Sequence, residues 1–166
     1  MVSAANQVTL ARIGLIPVFL IALVAGPRWL AIVLYTVIAL TDLIDGYLAR
    51  KFKAVSRAGA VLDPLADKLL VCAALLFLAN KGVEPWMAYV IVAREFLVTG
   101  LRALVEKVIV ANVWGKGKTL AQNVAVVWVL AGLPFAYEAM LVATVLTVVS
   151  GVVYFWVARR QLWAQL

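Results

Sequence analysis

The sequence predicts an all-α integral membrane protein of six transmembrane helices, and three observations carry that prediction. Hydrophobic residues fill 66% of the 166 positions and the mean hydropathy is +1.06. Charged residues supply only 14%, against about 25% in a soluble domain. Apolar stretches recur near 10–26, 29–48, 61–80, 85–110, 119–136 and 139–158, each near the roughly 20 residues that cross a hydrocarbon core. Six such spans use up the chain, so residues 1–166 read as a single membrane domain, with no linker, low-complexity tract or convincing repeat.

The first stretch follows Met1 to Gln7, which carries no basic side chain, and no small-residue cleavage site stands out after it. It reads as a retained span, not a signal peptide. The connections at Pro27-Arg28, at Lys81 to Glu84 and around Tyr137-Glu138 are short and nearly uncharged. The alternate ones hold Arg50, Lys51, Lys53 and Arg57, then Lys107, Lys116 and Lys118, and the chain ends with Arg159 and Arg160 nearby. Basic loops stay on the cytoplasmic side, so both termini are expected there. Trp29 and Trp86 fall at the outer ends of their spans and Trp114 and Trp163 at inner ends, as an interfacial aromatic belt requires. The net charge of +7 thus faces anionic lipid headgroups, and no nucleic-acid partner is expected. The lack of an organelle-targeting segment suits a bacterial inner (cytoplasmic) membrane.

The single cysteine, Cys72, sits in an apolar run and reads as a buried small hydrophobe. Histidine is absent, which removes the commonest general base near neutral pH and the commonest zinc ligand. Acid–base or metal chemistry must therefore rest on carboxylates.

Four of the eight acidic residues, Asp42, Asp45, Asp63 and Asp67, crowd around one cytoplasmic connection. On a helix, Asp42 and Asp45 share a face with Gly46 and Ala49, and Asp63 and Asp67 share a face of the next helix. Four mutually repelling carboxylates deep in a bilayer cost on the order of 10 kcal/mol without compensation, and cations supply it. An all-oxygen ligand set favours a hard ion: Mg²⁺ where phosphates complete the shell, with Mn²⁺ or Ca²⁺ as substitutes. Gly46, Ala49 and Gly59 leave room for a nucleotide at the helix backbone. Pro64 lacks a backbone donor, so the third helix either begins within a turn of it or bends there. The blander alternative pairs Asp42 and Asp45 with Arg50, Lys51 or Lys53 at the interface, but it does not explain four acids at these gaps.

Residues 42–67, DLIDGYLARKFKAVSRAGAVLDPLAD, match D-x2-D-G-x2-A-R-x8-G-x3-D-x3-D at every fixed position. On this segment the chain resembles the CDP-alcohol phosphotransferases; agreement at these positions by chance is on the order of once in 10⁹–10¹⁰ trials. Within that family it is most similar to bacterial members whose acceptor is glycerol 3-phosphate. The likeness rests on N-x2-T-L-x-R at Asn6, Thr9, Leu10 and Arg12, on DPLADK at 63–68, AREFLVTGLR at 93–102 and GKGKTLAQN at 115–123. The last span offers no distinguishing match.

The resemblance implies a CDP-alcohol phosphotransferase fold: a six-helix membrane homodimer with two metal ions in a cavity open to the cytoplasm. It implies transfer of the phosphatidyl group of CDP-diacylglycerol to an alcohol, with release of CMP. Asp42, Asp45, Asp63 and Asp67 are then the metal ligands, Asp42 and Asp63 serving both ions, and Asp67 is the general base. Asp42, Asp45, Gly46, Ala49, Arg50, Gly59 and Asp63 take the CDP moiety, although Arg50 equally suits a snorkelling interfacial role. Arg12, Arg94 and Arg102 are charges inside spans and so functional by default, suited to the acceptor phosphate. Lys116 and Lys118 add to that site or contact headgroups. Glu95 reads as a buried partner of Arg94, and Gly100, Gly132 and Gly151 as close helix packing.

Three rivals remain at this stage. One keeps the reaction and changes the acceptor to phosphatidylglycerol, inositol phosphate or serine, giving a cardiolipin synthase or a phosphatidylinositol phosphate synthase in the first two cases. A second is a small cation transporter, which gives no reason for Gly46, Ala49 and Gly59 at fixed spacing. The third, a non-catalytic scaffold protein, would be favoured by a missing signature aspartate, and none is missing.

Overall fold

The computed structural model describes the backbone of residues 4–52, 57–104 and 113–162, and the side chains of residues 10–41, 68–101, 117–156, 158 and 159. Among the described residues the chain is all helix apart from short turns. The helices are α1 (Ala4–Ala25), α2 (Arg28–Phe52), α3 (Arg57–Leu78), α4 (Pro85–Leu104), α5 (Val113–Ala131) and α6 (Ala136–Leu162). Each overlaps one expected apolar stretch. The chain divides into two compact units, Met1–Phe77 and Leu78–Leu166.

In the first unit α1 packs on α2. Ile16, Phe19 and Ala22, three apart on α1, face inward, and so do Ala31, Tyr35 and Ile38, four and then three apart on α2. The Phe19 and Tyr35 rings meet with centroids 5.5 Å apart at 57°, a tilted geometry that suits their quadrupoles. The opposite faces are apolar too: Val18, Ile21 and Val24 on α1 and Val33, Val37 and Leu40 on α2 are exposed. Cys72 is buried within α3, as its neighbours predict.

In the second unit α4 and α5 both pack on α6. The connection between α5 and α6 falls earlier than hydropathy places it. Leu133 and Phe135 prolong the apolar run, but Gly132 takes a left-handed conformation at φ 64°. There its N–H reaches the Val129 carbonyl and the Leu133 N–H reaches that of Trp128, a Schellman cap that ends the helix. The Trp128 indole then donates to the Pro134 carbonyl at 2.8 Å. Tyr137 and Glu138, expected in a loop, lie instead in the first turn of α6. Likewise Lys116 and Lys118 lie on α5, which starts at Val113.

α6 is built inside out relative to a helix of a soluble protein. Thr144, Thr147 and Ser150 are buried, whereas Val142, Val145, Val149, Val152 and Phe155 are exposed. The hydroxyls are satisfied locally: Thr144 donates to the Met140 carbonyl at 2.8 Å and Thr147 to that of Ala143 at 2.6 Å. Ser150 donates to the Thr147 carbonyl at 3.0 Å. Among the described residues one segment, Ala136–Trp156, is long and apolar enough to cross a membrane. Leu10–Ala25, Arg28–Thr41 and Lys68–Leu78 are shorter apolar helical segments.

Candidate active site

Asp42, Asp45, Gly46, Ala49 and Arg50 fall on the C-terminal half of α2, and Gly59, Asp63 and Asp67 on the N-terminal half of α3. Both segments are helical, so the i, i+3 and i, i+4 spacings of the acids hold along the backbone. The side chains of 42–67, and with them the convergence of the four carboxylates, lie outside the described residues. Of the two alternatives for Pro64, the first is excluded: α3 starts at Arg57, two turns before it. Among the described residues, which do not include these four side chains, no group of three or more potential metal-ligating acids or thiols occurs.

The basic residues assigned to the acceptor are better described. Arg12 is buried on α1. Arg102 lies on α4 and Lys116 on α5, with side chains outside the described residues. Arg94 and Lys118 belong to a buried polar cluster joining α4, α5 and α6, with Glu95 at its centre. Glu95 Oε1 accepts a hydrogen bond from Lys118 Nζ, both side chains being almost fully enclosed. The Arg94 guanidinium lies 3.5 Å from the same oxygen, and the Gln122 amide 3.4 Å from it. Gln122 also donates to Thr147 Oγ1 at 2.8 Å, and Arg94 Nη2 to Ser150 Oγ at 2.9 Å. Glu95 is thus a partner of Arg94, and of Lys118 as well. Lys118 is no interfacial lysine reaching for headgroups: at 4% exposure it is part of the core.

Sequence reasoning missed Gln122, Thr147 and Ser150. Gln122 stands inside the GKGKTLAQN segment without a role of its own. Thr144, Thr147 and Ser150, spaced three residues apart in a valine-rich span, are the signal that α6 turns a polar stripe inward. Gly151, read as a helix-packing glycine, adjoins a side chain: a Cβ there would stand 3.0 Å from Arg94 Cγ.

Among the described residues the chain is helical, with aspartates at i, i+3 and i, i+4 on α2 and α3 and a lysine–glutamate–arginine cluster on α4 and α5. The chain belongs to the CDP-alcohol phosphatidyltransferase family, whose model matches residues 2–156. It is 43% identical to a CDP-diacylglycerol–glycerol-3-phosphate 3-phosphatidyltransferase of Bacillus subtilis, over 90% of this chain and 92% of the other. Proteins of the same name from Rickettsia bellii (36% identical, 93% and 94% covered) and Haemophilus influenzae (33%, 93% and 92%) are similar over nearly their whole length as well.

Proposed function

We propose that this chain is a CDP-diacylglycerol–glycerol-3-phosphate 3-phosphatidyltransferase of phospholipid biosynthesis. It transfers the phosphatidyl group of CDP-diacylglycerol to glycerol 3-phosphate, giving phosphatidylglycerophosphate and CMP. The observation that carries this reading is the full-length similarity to relatives of that name, up to 43% identity, with all eight signature positions in place.

Asp42, Asp45, Asp63 and Asp67 suit two Mg²⁺ ions, since all four donors are hard carboxylate oxygens on consecutive helices. When bound, such ions neutralise the pyrophosphate and the charge that develops on departing CMP. Gly46, Ala49 and Gly59 leave the backbone open to the CDP moiety, and Arg50 is placed to meet its phosphate. Arg12, Arg94, Arg102 and Lys116 hold the phosphate of the acceptor, Lys118 bracing Arg94 through Glu95 from within the core, and a fixed anion orients the distal hydroxyl. Asp67 takes the proton of that hydroxyl as its oxygen attacks the lipid-side phosphorus. The bond to CMP breaks in line, and no covalent enzyme intermediate is required.

The enzyme works as a multi-pass protein of a bacterial inner membrane, as a single domain and a homodimer, with termini and active site in the cytoplasm. The apolar outer faces of α1, α2 and α6 support membrane immersion, because soluble proteins rarely expose such continuous apolar surface. The family match runs through both compact units, which supports one functional domain. The test is CMP release by purified protein with CDP-diacylglycerol, Mg²⁺ and a panel of acceptors. Release is expected to be fastest with glycerol 3-phosphate and to stop on chelation of divalent cations; a faster rate with inositol phosphate would overturn the acceptor assignment.

A further inference from the structure

Arg94 does not hang free from α4; its side chain is laid across α6. Its aliphatic stem crosses Gly151, where a Cβ would meet Cγ at 3.0 Å, Nε at 3.3 Å and Cδ at 3.8 Å. Its far end is fixed by Ser150, whose Oγ accepts from Nη2 at 2.9 Å, and by Glu95 at 3.5 Å. Ser150 is itself held, donating to the Thr147 carbonyl, and Thr147 accepts from Gln122, which also reaches Glu95. Arg94 is therefore bounded by Gly151 along its stem and held by Ser150 and Glu95 at its tip. A guanidinium restrained in this way loses less rotamer freedom when an anion binds.

We propose that Ser150 and Gly151 of α6 are positioning residues for Arg94, forming a saddle that presents its guanidinium to the phosphorylated acceptor. The step from saddle to acceptor rests on the function proposed above; the saddle itself rests on the contacts. A Cβ at 151 would meet the arginine stem closer than nine in ten Cβ contacts, so the stem must shift by a few tenths of an ångström to admit one. The last helix, which offered no motif, thereby enters the substrate site through another residue.

The test is a double-mutant cycle on the full-length enzyme in detergent, read in apparent KM for each substrate and in thermal midpoint. Gly151→Ala is expected to raise KM for glycerol 3-phosphate about tenfold while leaving KM for CDP-diacylglycerol near its original value. Ser150→Ala shifts it in the same direction, and Ser150→Thr, which keeps the hydroxyl, restores it. In an Arg94→Ala background Gly151→Ala should change neither the acceptor KM nor the midpoint further. Equal effects of Gly151→Ala with and without Arg94 would overturn the saddle. Should Arg94→Ala leave acceptor KM unchanged, the acceptor reading falls, and the midpoint cycle still decides whether Gly151 acts through Arg94.

Discussion

At the scale of single residues, the described part of the site is governed by the cost of enclosing charge. Taking Lys118 and Arg94 out of water is tolerable because Glu95 sits between them, Gln122 donates to the same carboxylate, and Ser150 accepts from Arg94. Glu95→Gln would leave two cations facing a neutral amide. It is expected to lower stability by about 3–5 kcal/mol, read as a fall in thermal midpoint in detergent; an unchanged midpoint would mean the cluster is solvated. Asp67 is a different case, since its proposed task is to move a proton. Asp67→Asn keeps size and polarity and removes basicity, so turnover should be lost while CDP-diacylglycerol binding, measured by titration, largely survives. Loss of donor binding to the same extent would assign Asp67 to ligation alone. The two acids also differ in how legible they were. Asp67 announces itself through fixed spacing to three other aspartates, whereas the pairing of Glu95 with Lys118 joins residues 23 apart on different helices, which no local pattern encodes.

At the scale of elements, hydropathy located all six helices, because runs of Leu, Val and Ala do not depend on neighbours for their meaning. It misplaced the end of α5 because Gly132 and Pro134 stop a helix by geometry while Leu133 and Phe135 keep the run apolar. Helix rotation was harder to read. A span apolar on every side gives no moment to follow, and only the sparse hydroxyls Thr144, Thr147 and Ser150 show which side of α6 turns inward. That rotation makes a direct prediction. In a Cys72→Ala background, a fluorophore on Val145→Cys should be quenched strongly by a lipid-borne quencher, and one on Thr147→Cys weakly. The reverse order would mean that α6 faces the bilayer with its polar stripe. Trp156 and Arg159 mark the end of the same helix: the guanidinium lies 5.3 Å from the ring centroid, a pair suited to the headgroup level.

At the scale of the whole molecule, the proposed topology rests on an alternation that no single helix displays. The short turns carry few charges, while the end of α2, the start of α3 and the connection joining them carry Arg50, Lys51, Lys53 and Arg57. Each basic residue near an anionic cytoplasmic leaflet gains about 1 kcal/mol, so this connection alone biases orientation by roughly 4 kcal/mol. The proposed reaction calls for the same sense, since a water-soluble phosphorylated acceptor and the released nucleotide both need the aqueous compartment that holds them. With Cys72 replaced by alanine, an Ala54→Cys variant and a Lys81→Cys variant, the latter in the exposed turn between α3 and α4, should report opposite sides. A membrane-impermeant maleimide should label Lys81→Cys in right-side-out vesicles and Ala54→Cys only in inverted ones. Labelling of both from one face would show that α3 does not cross the bilayer, and the carboxylates of α2 and α3 would then need a site at the surface of the membrane instead of a cavity within it.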